Sequence, residues 1–286
     1  MLDVSSLRTK IDQAADALQR EAFEAARVTE EQERATLSLA RRLVAVVRVV
    51  LDEKKNTFPS HGWNVIVMSL LVKAIATVRA AVTVGAAGHA REMGVLVRSA
   101  LESFLTAAFI AKDDSEVRAK RWVDHSTVIK AKLLKKHPHL SKAPEHVKVR
   151  DQIMDQAKSL ERHFPNASFW ASGLSKGGLR DLAVDVGMEW YYDFVYWSGS
   201  QATHGSPISV GGYVGLAADE TPIYNLGLSV DYVRGELAVC CDILVRALVL
   251  LNEVLKLDLD KLTGQLTAEY KAAFGDDLLE PEPQSG

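Results

Sequence analysis

At 286 residues the chain is long enough for one large domain or two small ones, and a hydrophobic content of 48% can supply a sizeable core. Charged residues make up 25% and the net charge is −3, which excludes a histone-like polycation and a wholly disordered acidic chain. The only two cysteines, Cys240 and Cys241, are adjacent in an apolar run. Neighbouring helical side chains diverge, so two free thiols and a reducing, cytoplasmic setting are expected.

The chain begins MLDVSSLRTKIDQAAD, which is polar and amphipathic and lacks the apolar core of a signal peptide. Leu7, Ile11, Ala14, Leu18 and Ala22 fall on one face of a first helix. Thr29-Glu30-Glu31-Gln32 has the form of a capping box and predicts the start of a second helix, through Leu37, Leu43, Val47 and Leu51. Residues 1–56 therefore read as a helical hairpin with a continuous apolar stripe, suited to pack on a second copy or on the rest of the chain.

KKNTFPSHG breaks the periodicity. Helices are predicted at about 63–84 and 88–112. The first of these, with WNVIVMSLLVKAIATVRAAVTVG, is the most hydrophobic stretch, but it carries Lys73 and Arg79. The run at 237–256 likewise carries Asp242 and Arg246. Both read as buried helices of a bundle, and no membrane is expected as a partner. Asp113-Asp114-Ser115 predicts a cap for a helix at about 115–136, stopped before Pro138. Another is predicted from Pro144 to about His163, then a short one near 178–186 and one over Met188–His204. Residues 207–228, where PISVGGYVG and TPIYNLGLS flank AADE, read as a small β-hairpin. Helices at about 230–256 and 258–274 close a bundle domain of residues 57–275, and the acidic, Pro-rich residues 276–286 read as disordered. The expected fold class is all-α: a multi-helix bundle with an N-terminal helical hairpin and a minor β insertion.

None of the eight histidines lies in a His-Glu-x-x-His or Glu-x-x-His pattern, so no metal is expected. The chain has no phosphate-binding Gly-Lys loop and no dinucleotide fingerprint, and no cofactor is expected. Two polar clusters stand out. Arg98 and Glu102 are four apart in an otherwise apolar helix, where paired charges are tolerated and single ones are costly. Tyr192, Tyr196, Ser200 and His204 recur every four residues at the end of another helix, stopped by Gly205-Ser206-Pro207. A histidine there meets the negative end of the helix dipole, which favours imidazolium and suits proton exchange near neutrality. The two clusters are expected to face each other, with Arg98 and Glu102 in one network with Tyr196 or His204.

Residues 117–150 form a third feature, with ten basic residues against Asp124 and Glu145 and four of the eight histidines. Such a segment can attract phosphates and makes a polyanion such as RNA a possible partner.

LVRSALESF, RWVDHS, a Trp-containing loop and YWSGSQATHGS together resemble the helical family DUF5677, over roughly residues 60–250. The resemblance implies an all-α, intracellular protein with Arg98, Glu102, Tyr196, Ser200 and His204 as characteristic polar positions. A more distant comparison is with the HEPN class of small helical domains, many of them ribonucleases in prokaryotic defence, whose Arg-x4–6-His motif sits on one helix. This chain departs from that motif, because Trp197, Ser198 and Gly199 precede His204 with no arginine.

The functional expectation is a cytoplasmic helical protein whose polar pocket binds or cleaves a phosphate-bearing ligand such as RNA. In that pocket Arg98 would hold the anion, Glu102 would orient, His204 would carry the proton, and Tyr192, Tyr196 and Ser200 would bind. The alternative is a non-catalytic assembly module in which the cluster is structural.

Overall fold

The computed structural model describes residues 4–54, 58, 62–138, 144–164, 169–171, 178–204, 206–210, 213–216, 221–224 and 228–275. The acidic tail at 276–286 lies outside the described residues. The fold is all-α. In chain order the main helices are α1 (Val4–Gln32), α2 (Arg34–Lys54), α3 (Trp63–Ala86), α4 (Ala90–Lys112), α5 (Ser115–Lys136), α6 (Pro144–Leu160) and α7 (Leu179–Asp185). There follow α8 (Glu189–Tyr191), a π turn (Tyr192–Tyr196), α9 (Trp197–Thr203), α10 (Pro207–Val210), α11 (Val233–Leu255) and α12 (Asp260–Phe274).

The chain divides into two compact units, one formed by Met1–Phe58, Leu71–Phe104 and Asp193–Gly286, the other by Pro59–Leu70 and Leu105–Tyr192. In the first unit α11 is the central element. It is buried almost all round, from Leu237 to Leu251, and packs against α2 and α12. A helix that is apolar round most of its circumference belongs inside a core, and the run Leu237–Leu251 of α11 is of this kind. From α2 the stripe Leu37, Leu43 and Val47 enters this core fully buried, and from α12 come Leu266 and Tyr270. Asp242, which is buried on α11, accepts a 2.6 Å hydrogen bond from Nε of Arg246 one turn later.

The second unit is built on the paired helices α5 and α6. Phe109, from the end of α4, meets Trp170 edge-on with ring centroids 5.7 Å apart. Arg121 donates to the carbonyl of Trp170 and lies 4.6 Å from the ring centre of Phe164.

Three local expectations are corrected. Thr29 does not start a helix: α1 runs through it, and its buried hydroxyl donates back to the carbonyl of Ala25 at 2.8 Å. A threonine hydroxyl can serve either end of such a pattern, and here the preceding turn captures it. The break falls at Glu33, and Arg41 reaches back to Glu30 across it with two 2.9 Å bonds. Asp114 precedes α5 but makes no side-chain cap; it adopts a left-handed conformation (φ 44°), which Asp tolerates better than most residues. Pro207–Val210, expected as strand, is a helical turn. Further along, Val214–Leu216 and Pro222–Tyr224 pair antiparallel over three residues each.

α3 and α4 are long and apolar enough, by length and composition, to cross a membrane. Within this fold, half of the most apolar window of α3 and two-thirds of that of α4 are buried against protein. The outward stripe of α3 presents Ser69, Lys73, Arg79 and Thr83.

Candidate functional site

Arg98 projects from the middle of α4, in the first unit, and is half-buried. Its Nη2 donates a 2.9 Å hydrogen bond to the hydroxyl of Tyr196, at the end of the π turn. The guanidinium carbon also stands 4.5 Å from the centre of the same ring, so the cation is held by both the face and the oxygen of Tyr196. The Nε atom of Arg98 is buried and has no hydrogen-bond partner among the described residues.

Two glycines make this approach possible. A Cβ placed on Gly199 of α9 would fall 2.7 Å from Cβ of Arg98 and 2.9 Å from the carbonyl oxygen of Gly94. No side chain fits there, so the backbones of α4 and α9 cross directly at Gly199. Gly94, one turn before Arg98, faces a different neighbour: a Cβ there would meet Oε1 of Glu236, from α11, at 3.2 Å. Oε2 of Glu236 is buried without a hydrogen-bond partner among the described residues. Burial pushes its carboxyl up to about 7.

The π turn alters the expected polar stripe. It adds a residue to one turn of the helix, and Val195 within it and Gly199 beyond it are buried. Tyr192, Tyr196 and Ser200 are half-buried, and the Ser200 carbonyl accepts the His204 N–H at 3.0 Å. Phe194 and Trp197 turn outward, 61% and 50% exposed.

The chain thus brings Arg98 and Tyr196 together. Glu102 stands exposed on α4, and the 2.9 Å bond of Arg98 runs to Tyr196. His204 is exposed at the C-terminal cap of α9, about 12 Å of helical rise beyond Tyr196. Sequence reasoning missed Gly94, Gly199 and Glu236. Glycine inside a helix is unfavourable unless packing requires it, and that was the available signal for the first two. Nothing in the local sequence marks Glu236, whose burial is a product of tertiary packing.

The model of a family of unknown function, DUF5677, matches residues 64–221. The chain belongs to this family. The DUF5677 match holds Gly94, Arg98, Glu102, Tyr196, Gly199 and His204, and leaves α1, α2, α11 and Glu236 outside it. It ends earlier than the expected 60–250. No curated protein and no solved structure matches the chain.

In the second unit much of the basic charge over 117–150 is already engaged. Arg118 is 14% exposed, lies 3.8 Å from the ring centre of Phe109 and pairs with Asp185 at 3.6 Å. Lys120 pairs with Asp124, Lys135 with Glu161 and Arg150 with Asp151. Lys130, Lys132 and Lys136 on α5 and Lys148 on α6 are exposed. Lys142 and His139 lie outside the described residues. Among the described residues no cluster of three or more His, Cys, Asp or Glu could hold a metal ion.

Proposed function

We propose that this cytoplasmic protein binds a phosphate-bearing ligand, RNA being the leading candidate, with Arg98 as the anion-binding residue. One observation carries the reading: Arg98 is fixed by Tyr196 while its buried Nε keeps an unused donor. A guanidinium held in one orientation is suited to an oxyanion, because its planar fork matches two oxygens. The exposed rings of Phe194 and Trp197, on the helix that carries Tyr196, favour a nucleic acid over bare phosphate, since unpaired bases stack on such faces. Ser200 is a secondary binding position. His204, exposed at the end of α9, is the proton carrier if cleavage occurs, with Glu102 to orient the ligand.

Titration of a labelled single-stranded RNA tests this. Arg98→Ala is expected to weaken binding at least tenfold, a loss of about 1.4 kcal/mol, while Trp197→Ala weakens it without altering the salt slope. Equal binding by wild type and Arg98→Ala would refute the reading. If the exposed lysines of α5 and α6 bind RNA independently, their replacement lowers the salt slope and leaves the effect of Arg98 intact.

A second reading, assembly, is favoured by α1. Residues 10–24 of this helix are exposed throughout, among them Ile11 (58%), Leu18 (54%) and Phe23 (74%). A long helix without tertiary support is only marginally stable in water, so the α1 of a second copy is the proposed cover. Light scattering on the full chain should show a dimer, and Leu18→Glu/Phe23→Glu should yield a monomer. A wild-type monomer would rule this out.

A further inference from the structure

Glu236 is a buried carboxyl that the proposed site has not used. Arg98 is four residues after Gly94, and a long helical side chain runs back over the turn that precedes it. That turn holds Gly94, whose carbonyl oxygen borders the position of a Cβ at Gly199, as do Cβ and Cδ of Arg98. Glu236 occupies the space that a side chain at position 94 would fill, its Oε1 3.2 Å from that point. Tyr196 and Gly199 reach the same stretch of α4 from α9 and its π turn. Two buried polar atoms are without a partner among the described residues, Nε of Arg98 and Oε2 of Glu236. The first belongs to α4, and the second to the α11 residue that packs on α4 at Gly94, one turn before Arg98. Folded chains satisfy nearly all such groups, and a bound oxyanion would use the first as donor.

We infer that Glu236, as the neutral acid, is the second anchor of the Arg98 site, donating its proton in a hydrogen bond to the bound oxyanion. This rests on Arg98 being the anion-binding residue. The ligand then enters together with one proton taken from solvent, and no covalent bond changes. An ionised Glu236 would repel the anion, so only the protonated acid serves as the anchor. Burial alone holds the carboxyl up near 7; a glutamate paired with a guanidinium would be displaced the other way, which argues against a plain internal ion pair with Arg98. Of the other charged groups nearby, Arg234 pairs with Glu33 and Glu92 accepts from Tyr213. Cys240, a turn along α11, is a buried thiol held protonated. His89 before α4 and His204 after α9 are the imidazoles that flank these two helices.

Sulfate is the probe, since its charge is constant between pH 6 and 8. Calorimetry on the full chain should give a dissociation constant that rises about tenfold from pH 6 to pH 8, as a carboxyl titrating near 7 goes from mostly protonated to mostly ionised. At pH 8 close to one proton should be taken up per sulfate, read from the change of heat with buffer ionisation enthalpy. Glu236→Gln, neutral at every pH, should bind at pH 8 as tightly as wild type at pH 6 and take up no proton. If Glu236→Gln keeps the wild-type pH profile, His89 or His204 carries it and the role of Glu236 is refuted. If wild type and Arg98→Ala bind sulfate equally, the Arg98 reading fails and this one with it.

Discussion

Gly94 and Gly199 each sit inside a helix, where glycine is about 1 kcal/mol worse than alanine. Both are explained by what they admit: Gly199 lets two backbones cross, and Gly94 admits the carboxyl of Glu236. The burial of that carboxyl has its own cost. In the folded chain it titrates near 7, against an ordinary 4.5. Between these values the folded state keeps a proton that the unfolded chain has released, so stability falls as pH rises through this window. Above about 7 the penalty is complete, at roughly 3 kcal/mol. Glu236→Gln should therefore raise the melting temperature at pH 8.5 and leave it nearly unchanged at pH 4.5. A melting temperature shifted equally at both values would show that the carboxyl is not buried in this way.

At the scale of elements, most helices could be read from the sequence because their apolar residues recur at helical spacing. The helices predicted at 115–136 and 258–274 fall within two residues of α5 and α12. What escaped was decided by contacts across the chain. The hydroxyl of Thr29 can close a capping box or bond the turn behind it, and only the burial of Thr29 selects the second. The π turn at Tyr192–Tyr196 has no compositional mark. Of the site, Arg98 and Tyr196 were legible because polar groups in an apolar helix need partners, and the structure supplies one to the other. Glu102 was expected inside for the same reason but lies outside, because its position in α4 falls on the exposed stripe. Removing Arg98 consequently strands no buried Glu102, and the severe destabilisation expected from such a stranded charge loses its basis.

For the whole molecule, stability is concentrated around α11 and falls away toward α1. The former is buried at most positions from Leu237 to Leu251, while residues 10–24 are exposed throughout. Within that core Asp242 is 1% exposed and is held by the guanidinium of Arg246 at 2.6 Å. The acid precedes the base by four residues, the favourable order on a helix. Arg246 itself keeps 31% of its side chain in solvent, so its removal opens no large cavity. Its loss instead leaves a carboxylate in the interior without its counter-charge, a defect that costs about 3–5 kcal/mol. Arg246→Met should lower the denaturation midpoint accordingly and speed amide exchange along α2, α11 and α12 together, because these helices share one core. Replacing both partners, as Asp242→Leu with Arg246→Met, removes the charge as well as its partner and should recover most of the loss. If the double variant is no more stable than Arg246→Met alone, the charge pair is not what the core depends on, and the packing of the Arg246 stem is.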